Sequence, residues 1–184
     1  TSLYETYRYE YGVMPYYYDM YGTDSGNNLL CCSDREHQYW NGNTLISFDQ
    51  SQYYKLYQSR MDSIIQQMPR NMTDEEKVLY LTQYMIDHCI PIDNVEVSEL
   101  YSFESKYFCK TGYGAILSGN GNSLAYSQAL YGLLQRAGIE SIPVMTEKRC
   151  YGLNMVKLDG EWYFLDSFAA DYLSTNEAIL FTGN

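Results

Sequence analysis

The dipeptide Asp159-Gly160 constrains this chain more than any other short stretch in it. It separates Gly152–Leu158 from Glu161–Asp166, two runs with strand-like composition, and Asp-Gly in that setting signals a two-residue hairpin loop. With such a loop Leu158 faces Glu161, and the numbers of opposing residues sum to a constant. Leu153 then falls opposite Asp166. Side chains alternate along a strand, so Tyr151 shares the face of Leu153 and is a diagonal neighbour of Asp166, about 7–8 Å away at the backbone. Position 151 is therefore aimed at the Asp166 carboxylate.

Upstream of the hairpin the periodicity is helical. Tyr54, Leu56, Tyr57, Met61, Ile64, Ile65 and Met68 recur at helical spacing and stop at Pro69. A second helix opens on Thr73 as N-cap, with Glu75 and Glu76 in its first turn, and its stripe of Val78, Leu79, Leu81, Tyr84, Met85 and Ile86 is ended by Pro91. Residues 92–122 are polar and Gly-rich and carry the chain to a third helix from about Ser123 to Ala137. There Ala129, Leu130, Leu133, Leu134 and Ala137 form the buried face and Gly138 is the C′ residue. Strand-like Ser141–Thr146 precedes the hairpin. Helices followed by an antiparallel sheet define an α+β fold. Residues 1–50 lack helical periodicity and read as short strands and loops, with Leu45–Phe48 a strand. The expected organisation is an N-terminal appendage, 1–50, on a core domain, 51–184.

A length of 184 residues suits one domain with a sizeable core, and 46% hydrophobic against 19% charged residues suits a folded chain. The net charge of −11 repels phosphate backbones and anionic lipid, which argues against nucleic-acid and membrane-surface partners. No apolar run approaches the roughly 18 residues of a membrane-spanning helix, and no signal peptide is visible. Carboxylates are plentiful but lack the spacing of a Ca²⁺ loop, so no metal and no cofactor is expected.

Five cysteines, Cys31, Cys32, Cys89, Cys109 and Cys150, show no metal-type CxxC pairing and read as buried or incidental thiols, with one disulfide of an exported protein as the rival. Tyrosine is the compositional outlier at 22 residues, including Tyr7, Tyr9 and Tyr11 at period two. Amphipathic rings of this kind suit a strand or flap laid on the domain, or an aromatic contact surface for a sugar or protein.

Ser123 follows Gly119-Asn120-Gly121-Asn122 at the start of the third helix. Free N–H groups and the positive dipole end stabilise an anion at such a place, where thiolate nucleophiles and oxyanion sites are found. Taken alone, serine there reads as an N-cap.

The stretch from Tyr113 to Ala129, YGAILSGNGNSLAYSQA, resembles the nucleophile segment of bacterial transglutaminase-like proteins, and Tyr151–Asp166, YGLNMVKLDGEWYFLD, is similar to their histidine–aspartate hairpin. Gly138-Ile139-Glu140 fits the connecting strand, and the likeness runs from about Tyr53 to Phe181. It implies a papain/transglutaminase-like core with helices packed on an antiparallel β-sheet. It also implies that the family's cysteine, histidine and aspartate fall on Ser123, Tyr151 and Asp166. Tyr113, Asn122, Tyr126 and Trp162 become candidates for the lining of a ligand cleft.

Only the aspartate survives, and the chemistry should fail with the other two. The family's reaction needs a thiolate, an imidazole to ferry protons and a carboxylate to orient it. A phenol with a pKa of about 10 is deprotonated to roughly one part in a thousand at neutral pH, and an adjacent carboxylate suppresses that further. A serine hydroxyl depends on an adjacent base. The expectation is an inactive domain, exported or at the cell surface as similar bacterial domains often are, that binds a peptide, a glycan or a protein partner. The alternatives are an amidohydrolase or transglutaminase that recruits His37, His88 or Cys150, and a purely structural domain.

Overall fold

The computed structural model describes residues 38–41, 44–47, 52–93, 109–146 and 151–173. The expectations for the Tyr-rich segment, for Cys31, Cys32 and Cys150, and for His37 as a base lie outside the described residues.

Strands β1 (Gln38–Asn41) and β2 (Thr44–Ser47) pair antiparallel, so a strand stands at Leu45–Ser47 as expected, and Phe48 lies outside the described residues. Helix α1 (Gln52–Gln67) follows, then α2 (Asp74–His88). Thr73 caps α2 as the sequence indicates. Its hydroxyl accepts from the Glu76 N–H at 3.2 Å while the Glu76 carboxylate accepts from the Thr73 N–H at 2.7 Å, a reciprocal capping box.

The other end of α2 departs from expectation. Pro91 does not end the helix. Cys89 is already extended, and Ile90–Pro91 (β3) pairs in parallel with Asn120–Gly121 (β4). The Ile90 N–H donates to the Gly119 carbonyl and the Ile92 N–H to the Gly121 carbonyl, so the chain leaves the helix two residues early to make these bonds. Within the stretch read as a connector lies a five-residue π-helix, Gly114–Ser118, ending on Gly119 at φ 67°. Glycine tolerates that left-handed conformation without steric cost.

Helix α3 (Ser123–Arg136) is the central element. Tyr126, Ala129, Leu130, Leu133 and Leu134 join Tyr57, Met61 and Ile64 of α1 and Val78, Leu81 and Met85 of α2 in one apolar core. Gly138, at φ 79°, closes α3 as expected. Strand β5 (Ser141–Thr146), β6 (Tyr151–Leu158) and β7 (Glu161–Leu165) form an antiparallel sheet in the order β5-β6-β7. Leu158 opposes Glu161 and Asn154 opposes Leu165, so the register read from Asp159-Gly160 holds, with both loop residues at positive φ. The sequence did not announce the last element, α4 (Ser167–Tyr172).

The architecture is α+β, helices against a small antiparallel sheet. Burial along β6 alternates strictly: Gly152, Asn154, Val156 and Leu158 are buried, whereas Tyr151, Leu153, Met155 and Lys157 are half-exposed. The buried row faces α3, and the other row lies on the opposite side of the sheet. Among the described residues no helix is long and apolar enough to cross a membrane.

Candidate functional site

The start of β6 is pressed against the first turn of α3. A Cβ on Gly152 would lie 2.9 Å from the Ser123 carbonyl oxygen and 3.0 Å from the Leu124 Cα, a backbone-to-backbone approach that no larger residue permits unchanged. Three hydrogen bonds fix the contact. The Gly152 N–H donates to Ser123 Oγ at 3.2 Å, Ser127 Oγ donates to the Leu153 carbonyl at 3.0 Å, and Asn154 Nδ2 donates to the Ser127 carbonyl at 3.1 Å. The amide held by the Ser123 hydroxyl belongs to the residue after Tyr151, so Ser123 sits against the start of the strand that carries Tyr151.

Ser123 is not the N-cap of α3. Asn122 is: its Oδ1 accepts from the N–H groups of Leu124 and Ala125 at 3.1 and 3.2 Å. Asparagine ranks with serine as a cap. The correction frees the Ser123 hydroxyl from capping, and it serves instead as the acceptor for β6.

Tyr151 Oη lies 2.9 Å from both Asp166 oxygens, and the phenol donates to the carboxylate. Asp166 also caps α4, accepting from the Ala169 N–H at 2.9 Å. Burial pushes the Tyr151 phenol well above its ordinary range, and the Asp166 charge and hydrogen bond push it further. Burial also raises the Asp166 carboxyl, outweighing the two hydrogen bonds that lower it. The phenol therefore meets the carboxylate as a hydrogen-bond donor. The Ser123 hydroxyl, for its part, accepts from a backbone amide.

The remaining candidates are dispersed. Tyr113, Asn122 and Tyr126 are at most 2% exposed and sit in the interior rather than on an open wall. Tyr113 packs edge-on against Tyr57 at 4.8 Å, Asn122 is spent on capping, and Tyr126 Oη bonds inward to the Cys89 carbonyl. Trp162 opposes Lys157, whose Nζ lies 5.8 Å from the indole centroid. It shares the Asp166 face but sits four residues along, roughly 13 Å at 3.3 Å per residue. His88 stacks on Tyr84 at 4.1 Å, with Nδ1 3.0 Å from the Tyr84 carbonyl, so its ring is engaged within its own helix. Cys89 and Cys109 are buried free thiols, and burial drives Cys89 up to about 12. Among the described residues no group of three or more His, Cys, Asp or Glu is arranged to hold a metal ion.

Neither a known protein family nor a curated protein matches the chain. A solved structure described as the crystal structure of a TGase superposes with a TM-score of 0.44 at 16% identity, over 61% of this chain and 30% of that one. The matched part of this chain spans less than a third of that protein's length.

Proposed function

We propose that this chain is a transglutaminase-like domain of papain-like architecture that has lost catalysis and serves as a binding module for a peptide, a glycan or a protein partner. One observation carries the reading: the Tyr151 phenol occupies the Asp166 carboxylate as a donor, where the resemblance calls for an imidazole that shuttles protons. The Ser123 hydroxyl at the helix start supports it, since it accepts from Gly152 and among the described residues no base is hydrogen-bonded to it.

The half-exposed side of the sheet supports a recognition role. Leu153 and Met155 of β6 pair with Val144 and Ile142 of β5, and Phe164 and Trp162 of β7 complete that face beside the Tyr151–Asp166 pair. Aromatic and aliphatic side chains presented together by a rigid sheet suit a peptide backbone or a sugar ring.

Two assays test the reading. The purified chain is offered a glutamine peptide with an amine donor and, separately, simple amides; the expected result is no turnover above the buffer rate. Peptide and glycan arrays follow, and binding that Leu153→Asp and Trp162→Ala abolish supports the module. Turnover that survives Ser123→Ala establishes an enzyme working through other residues. Absence of any ligand on the arrays leaves a structural domain as the better account.

A further inference from the structure

The hydroxyl of Tyr126 sits between two acceptors. It lies 2.9 Å from the Cys89 carbonyl oxygen, at the end of α2, and 2.5 Å from Asp171 Oδ2, on α4. Both are hydrogen-bond distances, so the three oxygens need two hydrogens between them. The phenol brings one and the carbonyl none. The Cys89 thiol also touches the phenol, but an S–H there is only another donor to Tyr126 and leaves the Asp171 contact without a hydrogen. An ionised Asp171 would have to compete with the Cys89 carbonyl for the single phenolic proton. The loser would then face Tyr126 lone pair to lone pair inside the fold.

We infer that Asp171 is a neutral carboxylic acid at neutral pH, whose proton completes a relay from Asp171 through Tyr126 to the Cys89 carbonyl and so latches α4 onto α2 and α3. The surroundings favour the neutral form. Burial raises the Asp171 carboxyl; the Tyr126 hydrogen bond lowers it and the like charge of Asp87 on α2 raises it, with a net shift upward. Among the described residues the facing titratable groups are Tyr126 from α3 and Asp87 and Cys89 from α2 and its cap, while β3 is Ile90 and Pro91. His88, next to them, is turned onto Tyr84. Asp166, the N-cap of α4, and Tyr172, within it, bring no positive charge. Among the described residues no cation forms an ion pair with Asp171.

The latch reaches the candidate site through Phe168. That ring meets Tyr126 edge-on at 5.5 Å and Tyr151 edge-on at 6.0 Å, and Asp166 caps the helix that carries it. Loss of the Asp171 proton loosens the six-residue α4 and, with it, the carboxylate that Tyr151 holds. The device makes the candidate site pH-responsive whether or not that site binds a partner.

The test uses the full chain and Asp171→Asn, whose side-chain NH₂ reproduces the donor of a neutral acid. Its urea midpoint at pH 7 is expected to equal or exceed that of the unaltered protein, with a shallower fall toward pH 8.5. In the unaltered chain the ¹³C carboxyl signal of Asp171 is expected to remain that of the acid after the exposed carboxylates have titrated. Amide exchange at Ala169 and Ala170 should quicken several-fold more with rising pH than in Asp171→Asn. An Asp171 signal that titrates with the exposed carboxylates overturns the inference, as does a lower midpoint for Asp171→Asn at pH 7. Equal exchange in the two proteins removes the link to α4.

Discussion

Tyr151 and Asp166 are joined by one phenol placed 2.9 Å from both oxygens of one carboxylate, and the same carboxylate caps α4 through Ala169. Strand pairing and helix docking thus meet in a single side chain. Tyr151→Phe keeps the ring against Phe168 and deletes only the donor. Hydrogen bonds to charged groups contribute about 1.5–3 kcal/mol, and the partial exposure of this pair places the expected loss near the lower end, about 1–2 kcal/mol by urea denaturation. The phenol lowers the Asp166 carboxyl, so its removal should move that group's ¹³C-detected titration upward. A downward movement would show that the bond is not formed in solution.

Asp166→Ala removes cap and phenol partner together. A lost N-cap costs about 1 kcal/mol and a lost charged hydrogen bond somewhat more, so a fall of roughly 2–3 kcal/mol is expected. Asp166→Asn retains an oxygen for the Ala169 N–H and should lose about half as much. Equal losses for the two variants would mean that charge, not capping, dominates at this position.

Burial raises both Asp166 and Asp171, and this sets the sign of the pH dependence. The folded state holds these protons more tightly than the unfolded chain. The stabilisation is complete below the ordinary carboxylate range and is lost as pH rises through the raised folded values. From about pH 4 upward these two groups therefore make the thermal midpoint fall. Calorimetry on the unaltered chain and on an Asp166→Asn/Asp171→Asn double variant separates their share from the rest: the double variant should show the flatter curve. A steeper curve in the double variant would reverse the sign.

How much of this was legible beforehand follows from which signals are local. Asp159-Gly160 set the register of β6 and β7 because a two-residue loop leaves no slack, and from that register the approach of residue 151 to Asp166 followed. Thr73 and Glu76 announced α2 because a capping box lies within four residues. The early end of α2, the Ile90–Asn120 pairing and the inward turn of Tyr126 depend on chain segments about 30 residues apart, and no local pattern encodes them. Asn122 was misjudged for a different reason. Adjacent Asn and Ser are both good caps, and only the demand of the Gly152 amide for an acceptor decides between them.

That same amide belongs to Gly152, a position near the candidate site with no room for a side chain. A methyl group there meets the Ser123 carbonyl at 2.9 Å, the Leu124 Cα at 3.0 Å and the Ser127 Cβ at 3.1 Å, and two of the three neighbours are helix backbone, which cannot swing aside. Strand β6 must retreat from α3, stretching the bonds from Gly152 to Ser123 and from Ser127 to Leu153. Overpacking of this kind costs about 1–3 kcal/mol, so Gly152→Ala should lie near the top of that range and Gly152→Val beyond it. Since the strand hinges away at its start, the Ser123 hydroxyl should lose its donor and the Tyr151–Asp166 pair should slacken with it. The measurable sign is faster exchange of the residue-152 amide in Gly152→Ala, accompanied by a drop in the urea midpoint. If Gly152→Ala matches the unaltered chain in both, β6 does not touch the first turn of α3 in solution, and Ser123 and Tyr151 do not belong to one site.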